Sequence, residues 1–232
     1  MNIDNKLLDE IWDKIGPQQN RTKCPFHRIE NLFNKCAEVI EAGLPGDFVE
    51  AGVWKGGASA LMGTLCDVEG KGRKTWSLDS FQGMSVPNPA FDLLEGEDVA
   101  SMCFQPAAQL RDFDLDDFKT TCFDIMDVSR ETLQIVPGWV DDTIDDTAPK
   151  IEQVAILRLD IDFYEPTKLI LENLYHKIPK GGYVICDDYG AWKGARKAVD
   201  DFREQQGITS NLAQTYKTED MRVGTEWYWK VE

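Results

Sequence analysis

Two apolar runs, VAILRLDID (residues 154–162) and GGYVICDDY (181–189), each end in acids, and the one stretch between them, PTKLILENLYHKI (166–178), carries its apolar residues at helical spacing. Strands joined by a single crossover helix pair in parallel, with the helix packed on a face of the sheet. That unit confines the chain to an open α/β architecture. The upstream sequence agrees: LPGDFVEAGVW reads as a turn at Pro45–Gly46 feeding a short strand, GGASALMGTLCDVEG as a helix ending near Gly70, and KTWSLDSF as a second strand. Two helices come before them, with apolar residues at Leu7, Leu8, Ile11, Trp12 and Ile15 and at Ile29, Leu32, Phe33, Cys36, Val39 and Ile40. The expectation is a single α/β domain over residues 1–232, a doubly wound and mostly parallel sheet with N-terminal helices in 1–46. Residues 83–117, with Pro87, Pro89, Pro106 and many acids, predict an irregular insertion, either a lid or a solvated loop; residues 17–28 are a second lid candidate. The closing MRVGTEWYWK predicts a β-hairpin with aromatics in the core or at a subunit contact, and exposed aromatics near this end point to a homo-oligomer.

Charge narrows the partners. With 25 Lys and Arg against 41 Asp and Glu the net charge is −16, a field that repels phosphate backbones and anionic lipid headgroups. No nucleic acid and no membrane are expected as partners. The start, MNIDNKLLDEIWDKIG, has acids where a signal peptide carries bases and then an apolar core, and no run of about 18 apolar residues occurs. These features predict a soluble, cytoplasmic protein. Cys24, Cys36, Cys66, Cys103, Cys122 and Cys186 are scattered without a C-x-x-C pair, which predicts reduced thiols and no zinc site.

FVEAGVWKGGASAL (48–61) is the first chemical signal. Gly52 and Gly56, after a strand and before a helix, let the backbone approach a ligand, and the helix N-terminus offers unpaired N–H groups. Dinucleotide folds use G-x-G-x-x-G, whereas these glycines fall as G-x-x-x-G-G, with Glu50 two residues ahead. That spacing is closer to the E-x-G-x-x-x-G loop of S-adenosylmethionine methyltransferases, where a carboxylate near a cationic methionine end makes electrostatic sense. Asp79, ending the next strand, can accept both hydroxyls of a ribose. Together these residues favour an adenosine-containing cofactor.

The acids of the opening unit then acquire a meaning. Consecutive strands of a parallel sheet end on one edge, where ligands bind, so Asp160 and Asp162 meet Asp187 and Asp188 there. Carboxylates that converge without His or Cys suit a hard divalent cation such as Mg²⁺; strand-end turns and helix caps are the competing explanation. Without a cation, adjacent carboxylates repel, and replacing Asp187 by Asn is expected to relieve that repulsion in the metal-free protein.

GDFVEAGVWKGGA, LDSFQGM, GWVDDTID, LRLDIDFYEPTKLILENLY and KGGYVICDDYGAWKGARKAVDDFR, spread from about Arg21 to Ile208, resemble the blocks of the macrocin O-methyltransferase family. Its members are Mg²⁺- and S-adenosylmethionine-dependent enzymes that methylate sugar hydroxyls of macrolides and related natural products. The resemblance implies the Rossmann-like fold of class I methyltransferases, a small-molecule hydroxyl substrate, Asp160, Asp187 and Asp188 as metal ligands, Glu50, Gly52 and Gly56 along the methionine side of S-adenosyl-L-methionine, and Asp79 with Ser80 at its ribose and adenine. Trp139 and Asp142 would sit by the adenine. The related catechol O-methyltransferases carry a basic lysine three residues after the first metal aspartate; Phe163 stands there in this chain. Asp160, Asp162 or a residue of the amino-terminal segment, His27 among them, is left to take the proton, Asp160 being the catalytic candidate. Methylation of a catechol-like phenol, a dinucleotide-dependent oxidoreductase and a non-catalytic cofactor or metal sensor are the alternatives.

Overall fold

Among the residues that the computed structural model describes, 3–93, 113–217 and 225–232, seven strands form one sheet. They are β1 (Asp47–Ala51), β2 (Thr75–Asp79), β3 (Leu133–Pro137), β4 (Val154–Leu159), β5 (Tyr183–Cys186), β6 (Ala213–Gln214) and β7 (Trp227–Lys230). Their order is β3-β2-β1-β4-β5-β7-β6, parallel from β3 to β5, with β7 antiparallel to both β5 and β6. The winding reverses between β1 and β4, where open α/β sheets hold their ligands beyond the carboxyl edge.

Side-chain alternation along the strands feeds two cores. Phe48, Ile156 and Ile185 point to one face, covered by α1 (Asn5–Ile15), α2 (Phe26–Glu41), α3 (Gly57–Glu69) and the segment around α4 (Leu115–Lys119). Their neighbours Val49, Leu157 and Val184 point to the other, under α5 (Val140–Thr147), α6 (Tyr164–Leu174) and α7 (Lys193–Gln205). Burying each such Val, Leu or Ile side chain is worth roughly 1.5–3 kcal/mol, so strands buried on both faces become continuous apolar runs in the sequence. Local chemistry sets the helix ends: the Asp4 side chain accepts the Leu7 N–H at 3.1 Å, and Gly70, left-handed at φ +67°, closes α3.

Several elements depart from the sequence expectation. β3, α5 and α7 lack the strong signals of the opening unit: β3 is partly exposed at the sheet edge and half of α5 is aspartate. Helix resumes at Leu115, capped by Asp114, and α4 runs into a π-helical turn over Thr120–Ile125. Residues 84–93 of the expected insertion are irregular; 94–112, and with them Cys103, lie outside the described residues. Met221–Gly224 also lie outside them; of the stretch expected to form a closing hairpin, Trp227–Lys230 is the strand β7, which pairs with β5 and with β6 upstream of that stretch. Its aromatics are mostly internal: Trp229 is fully buried and Trp227 packs on Tyr189. Among the described residues near this end, Tyr216 is the large exposed apolar side chain, and it stacks on His27 at 4.9 Å; His27 is not among the residues that line the cavity at the carboxyl edge. No described helix is long and apolar enough to cross a membrane.

Candidate active site

The carboxyl edge opens into a cavity of about 540 Å³, within the range of small-molecule sites. The turn after β1 forms one wall. Gly52 has φ +82°, and a Cβ there would lie 1.8 Å from the Asp160 carbonyl oxygen, so only glycine lets the ends of β1 and β4 touch. Gly56, also left-handed at φ +88°, faces elsewhere: a Cβ would meet Phe118 at 2.7 Å, and it is not among the cavity-lining residues. Gly57, which sequence reasoning missed, does line the cavity, and its N–H donates to the Arg21 carbonyl at 3.0 Å. That bond lays Arg21–Cys24, part of the expected 17–28 lid, along the cavity wall.

Asp79 ends β2 on the next wall. Its Oδ2 accepts the N–H groups of Val53 at 2.8 Å and Trp54 at 3.4 Å, and its Oδ1 that of Phe81 at 2.8 Å. Burial pushes this carboxyl above its ordinary range, against those backbone donors. A carboxylate has about four acceptor sites, so Oδ1 retains capacity for a hydroxyl from the cavity. Ser80 lines the cavity while its Oγ donates to the Gly83 carbonyl at 3.1 Å. Trp139 lines it too, immediately before α5, but Asp142 is exposed and off the wall; Asp141 takes that place. Successive helical residues point about 100° apart, which separates these two neighbours.

The floor carries the acids and a residue that sequence reasoning passed over. Arg158, on β4 and 1% exposed, donates through Nη1 to Glu50 Oε1 and to Asp160 Oδ2, both at 2.7 Å, and through Nη2 to Asp187 Oδ1 at 2.6 Å. Nη2 also lies 3.2 Å from the Cys24 sulfur. Arg28, from α2, meets Asp187 Oδ2 at 2.5 Å. A charge inside an otherwise apolar strand was the available signal, because a buried arginine demands partners. Glu50 also accepts the Ser59 hydroxyl, and burial pushes it up to about 7. Burial keeps the Cys24 thiol protonated.

Asp160, Asp187 and Cys24 offer ligand atoms within 4.8 Å of one another. Asp188, expected beside them, is buried and turned: its Oδ2 accepts the Asp162 N–H at 3.2 Å. Burial, then the neighbouring carboxylates, pushes both Asp162 and Asp188 above the usual carboxylate range. Arg158 therefore meets the carboxyl groups of Glu50, Asp160 and Asp187, and Arg28 meets Asp187. Oxygen donors with an excess of negative charge fit a hard divalent cation, with Arg158 and Arg28 as its internal rivals. Phe163, where a catechol-type lysine would stand, is buried edge-on against Trp192, so no amine reaches the cavity from that position.

A sheet of this order, with a glycine turn after β1 and an acid ending β2, is that of a class I methyltransferase. Residues 3–220 match the family described as macrocin-O-methyltransferase, and the chain belongs to that family. It is 36% identical over 197 residues to demethyldecarbamoylnovobiocin O-methyltransferase of Streptomyces niveus, covering 84% of this chain and 72% of the relative. It is 34% identical over 219 residues to 8-demethyl-8-(2,3-dimethoxy-alpha-L-rhamnosyl)-tetracenomycin-C 4'-O-methyltransferase of Streptomyces olivaceus, covering 91% and 77%. The solved O-methyltransferase NovP superposes with a TM-score of 0.82 at 29% identity, over 98% of this chain and 99% of that one. Family membership sets the dinucleotide-dependent oxidoreductase aside.

Proposed function

We propose that the protein transfers a methyl group from S-adenosyl-L-methionine to a sugar hydroxyl of a glycosylated natural product, with Mg²⁺ held by Asp160 and Asp187, and Asp188 joining them only when its carboxylate leaves the Asp162 N–H. One observation carries this reading: Asp79 and Asp160 line one cavity, and Asp187 offers a ligand atom within 4.8 Å of that of Asp160. The first suits a ribose, the second a cation beside an acceptor hydroxyl. The acceptor class rests on the relative whose name places the methyl group on a rhamnosyl-tetracenomycin and on Phe163 standing where a catechol-type lysine would.

When bound, the cofactor supplies an electrophilic methyl group, and the cation lowers the pKa of a hydroxyl near it. The chain's own residues contribute position. Glu50, Gly52 and Gly57 shape the methionine end; Asp79, Ser80, Trp139 and Asp141 shape the nucleoside end. Holding two reactants in line is worth roughly 7–11 kcal/mol in well-oriented cases. Both strand-end aspartates line the cavity, but Asp160 accepts Arg158, which leaves Asp162 as the better proton acceptor of the two. The deciding experiment incubates the protein with S-adenosylmethionine, Mg²⁺ and a library of glycosides and their aglycones, and follows methylated products by mass spectrometry. Methylation of aglycone phenols in preference to sugars overturns the acceptor assignment; full turnover in excess chelator overturns the cation.

A further inference from the structure

Arg158 lies on the central strand of the site, in register with Glu50 on β1 and Ile185 on β5. Its guanidinium spans three carboxylates from three neighbouring strand ends: Glu50 in the cofactor cradle, and Asp160 and Asp187 at the cation site. Arg28 meets the site through Asp187. We propose that Arg158 is a positioning residue, the internal counter-cation of the metal centre, which holds Asp160 and Asp187 in place before the cation arrives, competes with it, and couples it to the cofactor cradle through Glu50. The inference rests on the reading of Asp160 and Asp187 as metal ligands.

The physical argument is one of charge and reach. Asp160 and Asp187 cannot both stay ionised side by side in a closed site without positive charge, and Arg158, at hydrogen-bond distance from each, supplies it. A planar fork with several N–H groups can hold three acceptors at once. The same positive charge repels a divalent cation approaching the same oxygens. Glu50 draws part of that charge away from the aspartates, so a group that is no metal ligand tunes metal affinity, and by linkage the cation and the cofactor affect each other's binding equally.

The test uses the full chain stripped with a chelator, with Mg²⁺ followed by thermal melting and calorimetry, and S-adenosylhomocysteine affinity measured with and without Mg²⁺. Arg158→Met keeps the bulk and removes the charge. Its stripped form should melt lower than wild type, and it should bind Mg²⁺ about 10- to 100-fold more tightly, the effect of one unit charge about 6 Å from a divalent ion at an effective dielectric of about 40–80. Its Mg²⁺-induced rise in Tm should be correspondingly larger. Arg158→Lys should restore the melting point and the wild-type Mg²⁺ affinity, whereas a packing role would be served better by Met. Should Arg158→Met fail to fold, Glu50→Gln tests the coupling: Mg²⁺ affinity should fall about tenfold, with a smaller effect of Mg²⁺ on S-adenosylhomocysteine binding. A wild-type Mg²⁺ response that is unchanged or weakened in Arg158→Met, or unchanged in Glu50→Gln, overturns the role of Arg158 and leaves the metal site standing. No Mg²⁺ response in wild type overturns both.

Discussion

The Asp79 carboxylate accepts the Val53 N–H at 2.8 Å, which pins the glycine turn after β1 to the end of β2. The side chain proposed as the ribose acceptor is therefore also a structural staple. Asp79→Ala is expected to weaken S-adenosylmethionine and S-adenosylhomocysteine binding by roughly 10- to 150-fold through lost charged hydrogen bonds. It should also destabilise the protein by about 1–3 kcal/mol, because buried N–H groups lose their acceptor. Calorimetry and denaturant melts read the two losses separately, and an unchanged affinity would remove Asp79 from the ribose site.

Gly52→Ala should be far more damaging than Gly72→Ala, although both glycines are left-handed, at φ +82° and φ +81°. Nothing lies within 4 Å of a Cβ at Gly72, so that change costs the conformational penalty alone, about 1–3 kcal/mol. At Gly52 the added carbon strikes the backbone of Asp160, and the strand end that carries the acids must move. Equal denaturation midpoints for the two variants would contradict the close approach of β1 and β4.

Asp187→Asn should destabilise the metal-free protein, contrary to the sequence expectation that it relieves repulsion. The reason is that Asp187 already receives Arg158 and Arg28, and breaking a buried ion pair from one side costs about 3–5 kcal/mol. Binding of Mg²⁺ to the folded state alone stabilises by RT ln(1 + [L]/Kd), so wild type should melt higher in millimolar Mg²⁺ and the variant should show little of that rise. Melting curves in chelator and in Mg²⁺ decide both points.

Glu226 supplies a pH test beside the cation site. It is 1% exposed, accepts Asn31 Nδ2 at 2.9 Å and the Thr215 hydroxyl at 2.7 Å, and burial, then Asp187, pushes it up to about 8 from an ordinary 4.5. The folded state then holds a proton that the unfolded state releases, so this contribution to stability is full below pH 4.5 and is lost as pH rises to about 8. Glu226→Gln keeps the acceptor and removes the titration. It should match wild type near the acid end of the window and be more stable than wild type at its alkaline end; parallel pH profiles for the two proteins would refute the assignment.

The apolar runs ending at Asp160 and Asp187, with one helix between them, were enough to infer a parallel sheet and a common carboxyl edge, because strand periodicity and crossover handedness are properties of short stretches of chain. The Gly52 turn and Asp79 were legible for the same reason. What the chain could not disclose locally depends on groups far apart in sequence meeting in space. Arg158 reads as one charge in an apolar strand until Glu50, Asp187 and Cys24 are brought around it. Gly56 looks like a ligand-facing glycine until Phe118 arrives against it, and Asp141 displaces Asp142 from the cavity wall only once the start and phase of α5 are set. Asp188 shares the sheet edge with Asp187, but its engagement with the Asp162 N–H follows from how two loops pack. Sequence determined which strand ends face the ligand; tertiary packing decided which charges there neutralise one another, because the energy of a buried charge depends on neighbours that no local pattern specifies.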